Sequence, residues 1–264
     1  MKVAGIDIGH HTGKAVIIED GKIISQAALV MTKKSSLASE EVLDEALRSV
    51  GLSRDEIKYI VATGHGRNGV SIANESKAVV TCLAKGTHWL LPLARTVIDI
   101  GAEVCNVVEL NDQGRPLDFQ ENDKCAAGSG IFLEGMSKFL KMSLNEMSEA
   151  ALRANEPIML NSQCVVFCEQ ELITFVHSGS SLPVENLIAG IYHSLASRLV
   201  GLARRVRIKE DLLLTGGTAR MPGFVNALEK ELGLKLNVPA NPEMAAAIGA
   251  AIFAGELYRK GGQE

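Results

Sequence analysis

Two apolar runs in this chain end in the same four residues. Ile6-Asp7-Ile8-Gly9 closes the first run, and Ile98-Asp99-Ile100-Gly101 closes another some ninety residues later. The residues downstream of the two copies are also alike. After the first come a run from Lys14 to Glu19, the turn Asp20-Gly21, and a run from Lys22 to Val30. After the second come a run from Cys105 to Leu110, the turn Asn111-Asp112-Gln113-Gly114, and a strand around Leu117. Asp-Gly between two apolar runs is a strong hairpin signal, since both turn positions need positive φ. A repeated strand, Asp-Ile-Gly, strand, turn and strand predicts an internally duplicated α/β protein.

The other segments fit that plan. Val42, Leu43, Ala46, Leu47 and Val50 have helical spacing, so Glu40 to Val50 is predicted as a helix that Gly51 closes. Tyr59 to Thr63 reads as a strand, followed by Gly64-His65-Gly66-Arg67. From Ile131 the pattern is mainly helical, with segments near 131–141, 143–153, 163–178 and 183–206. A strand from Asp211 to Leu214 leads into Thr215-Gly216-Gly217-Thr218-Ala219-Arg220, Phe224 to Leu232 is helical, and Lys235 to Val238 reads as a short edge strand before Pro239. The last helix, Met244 to Arg259, opens on Ala and Gly residues that let it cross a neighbour closely.

Composition narrows the function. A net charge of -4 argues against a nucleic-acid surface. No apolar run is long enough to span a bilayer, and Asp7 falls too early for a secretory signal, so a soluble cytoplasmic protein is expected. Five cysteines, an odd number, point away from a disulfide framework.

An Asp-Ile-Gly turn after a strand offers backbone N–H groups to a phosphate and a carboxylate to its metal ion. Two such turns, with the later strand ending in Gly216-Gly217, form a set suited to holding a triphosphate. No P-loop is present, and Gly5, Gly9 and Gly13 do not make the dinucleotide fingerprint. The arrangement resembles the actin, sugar-kinase and heat-shock ATPase superfamily. That likeness implies two lobes with a nucleotide cleft, the first from residues 1–95 plus 242–264 and the second from 96–241. It also implies that Asp7 orients Mg²⁺ and its waters, that Lys14 reaches a phosphate, and that Asp99 and Gly101 form the second phosphate turn. An exposed strand lysine is the plainer reading of Lys14.

The cysteines add a second chemistry. Cys125 stands before a glycine-rich turn and a helical pattern in Asn122-Asp123-Lys124-Cys125-Ala126-Ala127-Gly128-Ser129-Gly130. Cys164 opens the next long helix in Asn161-Ser162-Gln163-Cys164-Val165-Val166-Phe167. A cysteine at a helix N-terminus is placed where thiolate is favoured. This pair of segments resembles the ATPase activators of 2-hydroxyacyl-CoA dehydratases, in the BadF/BadG/BcrA/BcrD ATPase family. That family also includes the ATPase subunits of benzoyl-CoA reductases and the reductases of double-cubane iron–sulfur proteins.

The resemblance implies a homodimer with one bridging [4Fe–4S] cluster, held by Cys125 and Cys164 of each subunit. Electrons would come from a ferredoxin or flavodoxin and pass singly, with ATP hydrolysis, to an iron–sulfur acceptor enzyme. It further implies nucleotide contacts from Gly9, His10, His11, Thr12, Lys14, Gly101, Ala102, Gly128, Gly130, Glu134, Gly216 and Gly217. Relatives usually carry Ser-Thr where this chain has His10-His11, and Gly-Gln-Asp where it has Ala102-Glu103-Val104. Glu103 is therefore the expected group for positioning water, beside Asp7 and Asp99. Cys168, one helical turn after Cys164, is expected to be a packed thiol, and Cys82 and Cys105 core residues. The alternatives on the same fold are a sugar or small-metabolite kinase and a non-catalytic ATP or redox sensor.

Overall fold

The computed structural model describes residues 1–122, 130–178, 182–209 and 211–261. The chain divides into two compact units, one of residues 1–95, 110–117 and 243–264, the other of 96–109 and 118–242.

The first unit begins with β1 (Lys2–Ile8), β2 (Thr12–Glu19) and β3 (Lys22–Val30), an antiparallel meander. Asp20 and Gly21 both take positive φ, 48° and 82°, as the hairpin turn between β2 and β3 demands. Helix α1 (Ser35–Arg48) comes next, and the chain returns as β4 (Ile57–Thr63), parallel to β1. With the two-residue β5 (Glu75–Ser76) the sheet order is β3-β2-β1-β4-β5.

Alternation along β1 splits its side chains between two cores. Ala4, Ile6 and Ile8 face Val42, Leu43, Ala46 and Leu47 of α1. Val3 faces Ile248 and Ala251 of the last helix, α8 (Ala245–Gly261). Helix α2 (Val79–Leu90) packs on α8, where Gly86 and Gly249 sit against the carbonyls of Ala245 and Cys82, so neither position has room for a Cβ. The small-residue opening of the last helix thus serves the close crossing expected of it. The helix α2 itself is hard to read from its sequence, because it starts with Val79-Val80-Thr81, three β-branched residues.

The second unit repeats the opening. β6 (Thr96–Ile100) pairs antiparallel with β7 (Cys105–Leu110), which neighbours β8 (Pro116–Glu121). β9 (Leu212–Thr215) then runs parallel to β6, giving the order β8-β7-β6-β9. Helices α3 (Gly130–Leu140), α4 (Leu144–Leu152), α5 (Val165–His177), α6 (Val184–Ala203) and α7 (Pro222–Leu232) complete the unit. Its core joins Ile98 and Ile100 of β6 to Leu133, Met147, Tyr192 and Phe224, the last two in an edge-to-face contact at 5.9 Å. Ser143 and Glu146 form a capping box that starts α4, with Glu146 N–H donating to Ser143 Oγ at 3.2 Å.

One expected element is absent. In place of a strand from Lys235 to Val238 there is a single bridge, in which Asn237 exchanges backbone hydrogen bonds with Leu212 (2.9 Å) and Leu214 (2.8 Å). Lys235 and Val238 on either side are exposed, and Pro239 has no N–H with which to continue a ladder.

Candidate functional site

The duplication extends to the two turns after β1 and β6. In the first, Gly9 N–H donates to Thr12 O at 3.1 Å; in the second, Gly101 N–H donates to Val104 O at 2.9 Å. The aspartates occupy equivalent register, Asp7 opposite Lys14 and beside Thr63, Asp99 opposite Asn106 and beside Thr215. Each neighbouring threonine is followed by a glycine with positive φ, 92° at Gly64 and 88° at Gly216. These glycines lie against the carbonyls of Ile8 and Ile100, where any Cβ would collide. Thr63-Gly64 and Thr215-Gly216 are a repeat visible in the sequence, although only Gly216, through its pairing with Gly217, stands out there as a site residue.

The first turn gathers Asp7, Gly9, His10, His11, Thr12 and Lys14. Lys14 Nζ lies 3.1 Å from Asp7 Oδ2, with both side chains largely buried, so Lys14 is not an exposed strand lysine. The ring of His10 packs against that of His65, centroids 4.3 Å apart and planes tilted by 42°, which brings the turn after β4 beside the turn after β1. His65 has no signal of its own in the sequence beyond its place between two glycines.

The second turn holds Asp99, Gly101, Ala102 and Glu103, with Gly216 and Gly217 after β9. Thr215 Oγ1 donates to Asp99 Oδ1 at 2.8 Å. Gly130 N–H donates to Gly101 O, and Ile131 N–H to Ala102 O, both at 3.0 Å, so the start of α3 is attached to this turn. A Cβ at Gly130 would stand 3.5 Å from Gly101 O and Thr218 Oγ1, an ordinary contact distance. Glu134 lies one turn further along α3 and is half-buried, while Glu103 is exposed. Asn122 closes the other side: its N–H donates to Cys105 O at 3.1 Å, its Oδ1 accepts from Cys105 N–H at 2.6 Å, and its Nδ2 donates to Glu103 O at 3.1 Å. Cys125 and Gly128 lie outside the described residues.

Cys164 is the N-cap residue of α5, partly exposed, with no side-chain cap bond of its own. Asn161 Oδ1 accepts from the N–H groups of Gln163 and Cys164, both at 2.9 Å. Helix α6 fixes the same loop: Ser194 Oγ donates to Asn161 O at 2.7 Å, and Arg198 Nε donates to Ser162 O at 2.6 Å. A partly exposed thiol held in place in this way at a helix start is accessible to a ligand. Among the described residues no group of three or more His, Cys, Asp or Glu forms a metal site. Cys168 is fully buried, and burial pushes its thiol up despite the nearby Ser194 hydroxyl and Arg198. It packs where a neutral thiol belongs. Cys82 and Cys105 are core residues, Cys82 pushed up to about 11 by burial and Cys105 higher still.

Known proteins with this architecture are informative. An activator of lactoyl-CoA dehydratase from Anaerotignum propionicum is 40% identical over 98% of this chain and 100% of its own. The activator of the 2-hydroxyisocaproyl-CoA dehydratase from Clostridium difficile, solved with bound ADPNP, superposes with a TM-score of 0.93 at 32% identity, covering 100% of this chain and 97% of that one. A ROK-family glucokinase from Streptomyces griseus shares the fold alone, with a TM-score of 0.59 at 13% identity over 97% of this chain and 100% of its own. This is the duplicated actin-like α/β fold. Residues 4–254 match the family of the BadF/BadG/BcrA/BcrD ATPases, and the chain belongs to that family.

Proposed function

We propose that this protein is an ATP-driven one-electron reductase that activates an iron–sulfur enzyme of the 2-hydroxyacyl-CoA dehydratase or benzoyl-CoA reductase kind. The observation that carries the reading is Cys164, a partly exposed thiol at the start of α5 whose loop is pinned by Asn161, Ser194 and Arg198. In an ATPase whose relatives are dehydratase activators, so fixed a thiol suits electron transfer better than core packing.

Cys125 and Cys164 would each hold one corner of a [4Fe–4S] cluster, and a second copy of the chain would supply the other two thiolates. The cluster would supply reversible one-electron storage at low potential. Asp7 would orient Mg²⁺ with Lys14 against a phosphate, while the turns of Gly9–Thr12, Gly101–Ala102 and Gly216–Gly217 would contact the nucleotide. Glu103, exposed on the second turn, is the proposed group for positioning water, together with Asp99 of β6. The hydrogen bonds from Gly130 and Ile131 to Gly101 and Ala102 support a link from the nucleotide to the cysteine segment, because the same turn serves both.

Anaerobic purification tests this directly. The expected result is a brown homodimer with about one cubane cluster per dimer, as four thiolates require. ATP hydrolysis should rise when a reduced electron donor and an acceptor enzyme are both present. Protein that stays iron-free after reconstitution, or that keeps its cluster as Cys164→Ala, would overturn the reading.

A further inference from the structure

An unexplained run of positive charge follows the C-terminal end of helix α6: Arg204, its C-cap, then Arg205, Arg207 and Lys209. Lys209 is accounted for, since its Nζ lies 2.7 Å from Glu109 Oε1. The three arginines are exposed, and among the described residues none of them is paired with a carboxylate. Asp211 is an exposed acid at the end of the run. Cations at a helix C-terminus offset the macrodipole, which explains one of them. Three in four positions, in a chain of net charge -4, exceed that need.

Their position matters more than their number. Arg198 and Ser194, one turn apart on α6, hold the Asn161-Ser162 loop that leads into Cys164. Arg204, the C-cap of α6, lies six residues beyond Arg198, a rise of about 9 Å along the helix. Gly201, on this stretch, is exposed, and an added Cβ there would meet nothing within 4 Å. Helix α6 thus leads from the loop of Cys164 to an open cluster of arginines just past its end.

We propose that Arg204, Arg205 and Arg207 form the docking surface for an acidic one-electron carrier protein, seated so that it faces the Cys164 end of α5. The inference rests on the function proposed above. In the step it serves, one electron leaves the reduced carrier and enters the site held by Cys164; no bond forms or breaks. The surface fits a carrier because a partner that must exchange after every electron needs fast encounter and weak binding. Exposed charge supplies both, and redox encounters use the smallest interfaces. The exposed Val166 and Phe167 beside Cys164 suit a longer-lived apolar contact instead.

The experiment is binding of a bacterial 2[4Fe–4S] ferredoxin to the anaerobically purified holoprotein, by calorimetry at low and high salt. Wild-type affinity should fall steeply with added salt. The combined Arg204→Glu, Arg205→Glu, Arg207→Glu variant should bind about tenfold more weakly or worse and lose most of that salt dependence. Lysine at all three positions should restore binding, and reduction by dithionite should be unchanged in every variant. If the glutamate variant does not fold, glutamine at the same positions gives the same readout. Unchanged ferredoxin binding would overturn the proposal, as would a loss confined to the acceptor enzyme or a loss that lysine does not restore. Iron analysis of the same preparations separates the two ideas: iron-free protein sinks the proposed function, whereas iron-loaded protein with unaltered binding sinks this one.

Discussion

Thr215 donates its hydroxyl hydrogen to Asp99 at 2.8 Å, whereas its counterpart Thr63 turns away from Asp7 and donates to the carbonyl of Lys77 at 3.0 Å. The duplicated halves therefore hold their aspartates differently. In the first, Lys14 supplies a full positive charge; in the second, a neutral hydroxyl does the fixing. Thr215→Val keeps the shape and removes the donor, so it should cost about 1.5–3 kcal/mol of stability, the net worth of a hydrogen bond to a carboxylate. Thr215→Ser should cost less than half of that. Urea unfolding of the two variants makes the comparison.

Gly216 and Gly64 are a sterner case. Gly216 sits at φ 88°, ψ 167°, a region essentially closed to other residues, and faces the Ile100 carbonyl. Gly216→Ala adds backbone strain of about 1–3 kcal/mol to a steric collision. The expected outcome is soluble protein only at reduced temperature, with the loss of nucleotide binding exceeding that in Gly217→Ala, where a Cβ meets nothing within 4 Å. Thermal unfolding with and without ATP reads both effects.

The thiols should separate by reactivity. In iron-free native protein at pH 8, iodoacetamide should label Cys164 well before Cys82, Cys105 or Cys168, because burial holds those three protonated and out of reach. Peptide mass mapping against time gives the order. Labelling of Cys168 at the rate of Cys164 would contradict its assignment as a packed thiol.

Acid should weaken the first unit through Glu56. The hydrogen bond from Lys2 Nζ at 2.8 Å, helped by the Ser53 N–H, holds Glu56 down at about 2 from its usual 4.5. A depressed carboxylate contributes stability that is complete above its unfolded value and disappears as pH falls through its folded one. The urea midpoint should therefore drop between about pH 4.5 and 2, and Glu56→Gln should flatten that part of the profile. An unaltered profile in the variant would remove Glu56 from the acid transition.

How much of this was legible in the sequence depends on where the constraint lies. Ile6-Asp7-Ile8-Gly9 and its second copy could be read because a strand end and a tight turn are local, and so could the Asp20-Gly21 hairpin. Helix α2 was not, since β-branched residues open it and its fit depends on Gly86 meeting α8 from far along the chain. The Lys235 to Val238 segment reads as a strand by composition, yet only Asn237 pairs with a neighbouring strand. Among the site residues, the pairing of Lys14 with Asp7 is foreshadowed by their positions on adjacent strands. By contrast, the tilted ring contact of His10 with His65 and the grip of Arg198 on the loop before Cys164 join residues that no spacing rule connects.

Asn122, just after β8, and Gly130, the first residue of α3, are both hydrogen-bonded to the stretch from Gly101 to Cys105. The second turn is therefore a shared footing: a displacement of it carries the end of β8 and the start of α3 together and leaves the distance between Asn122 and Gly130 unchanged. Asn122→Ala would release the β8 side of that footing and leave the α3 side attached.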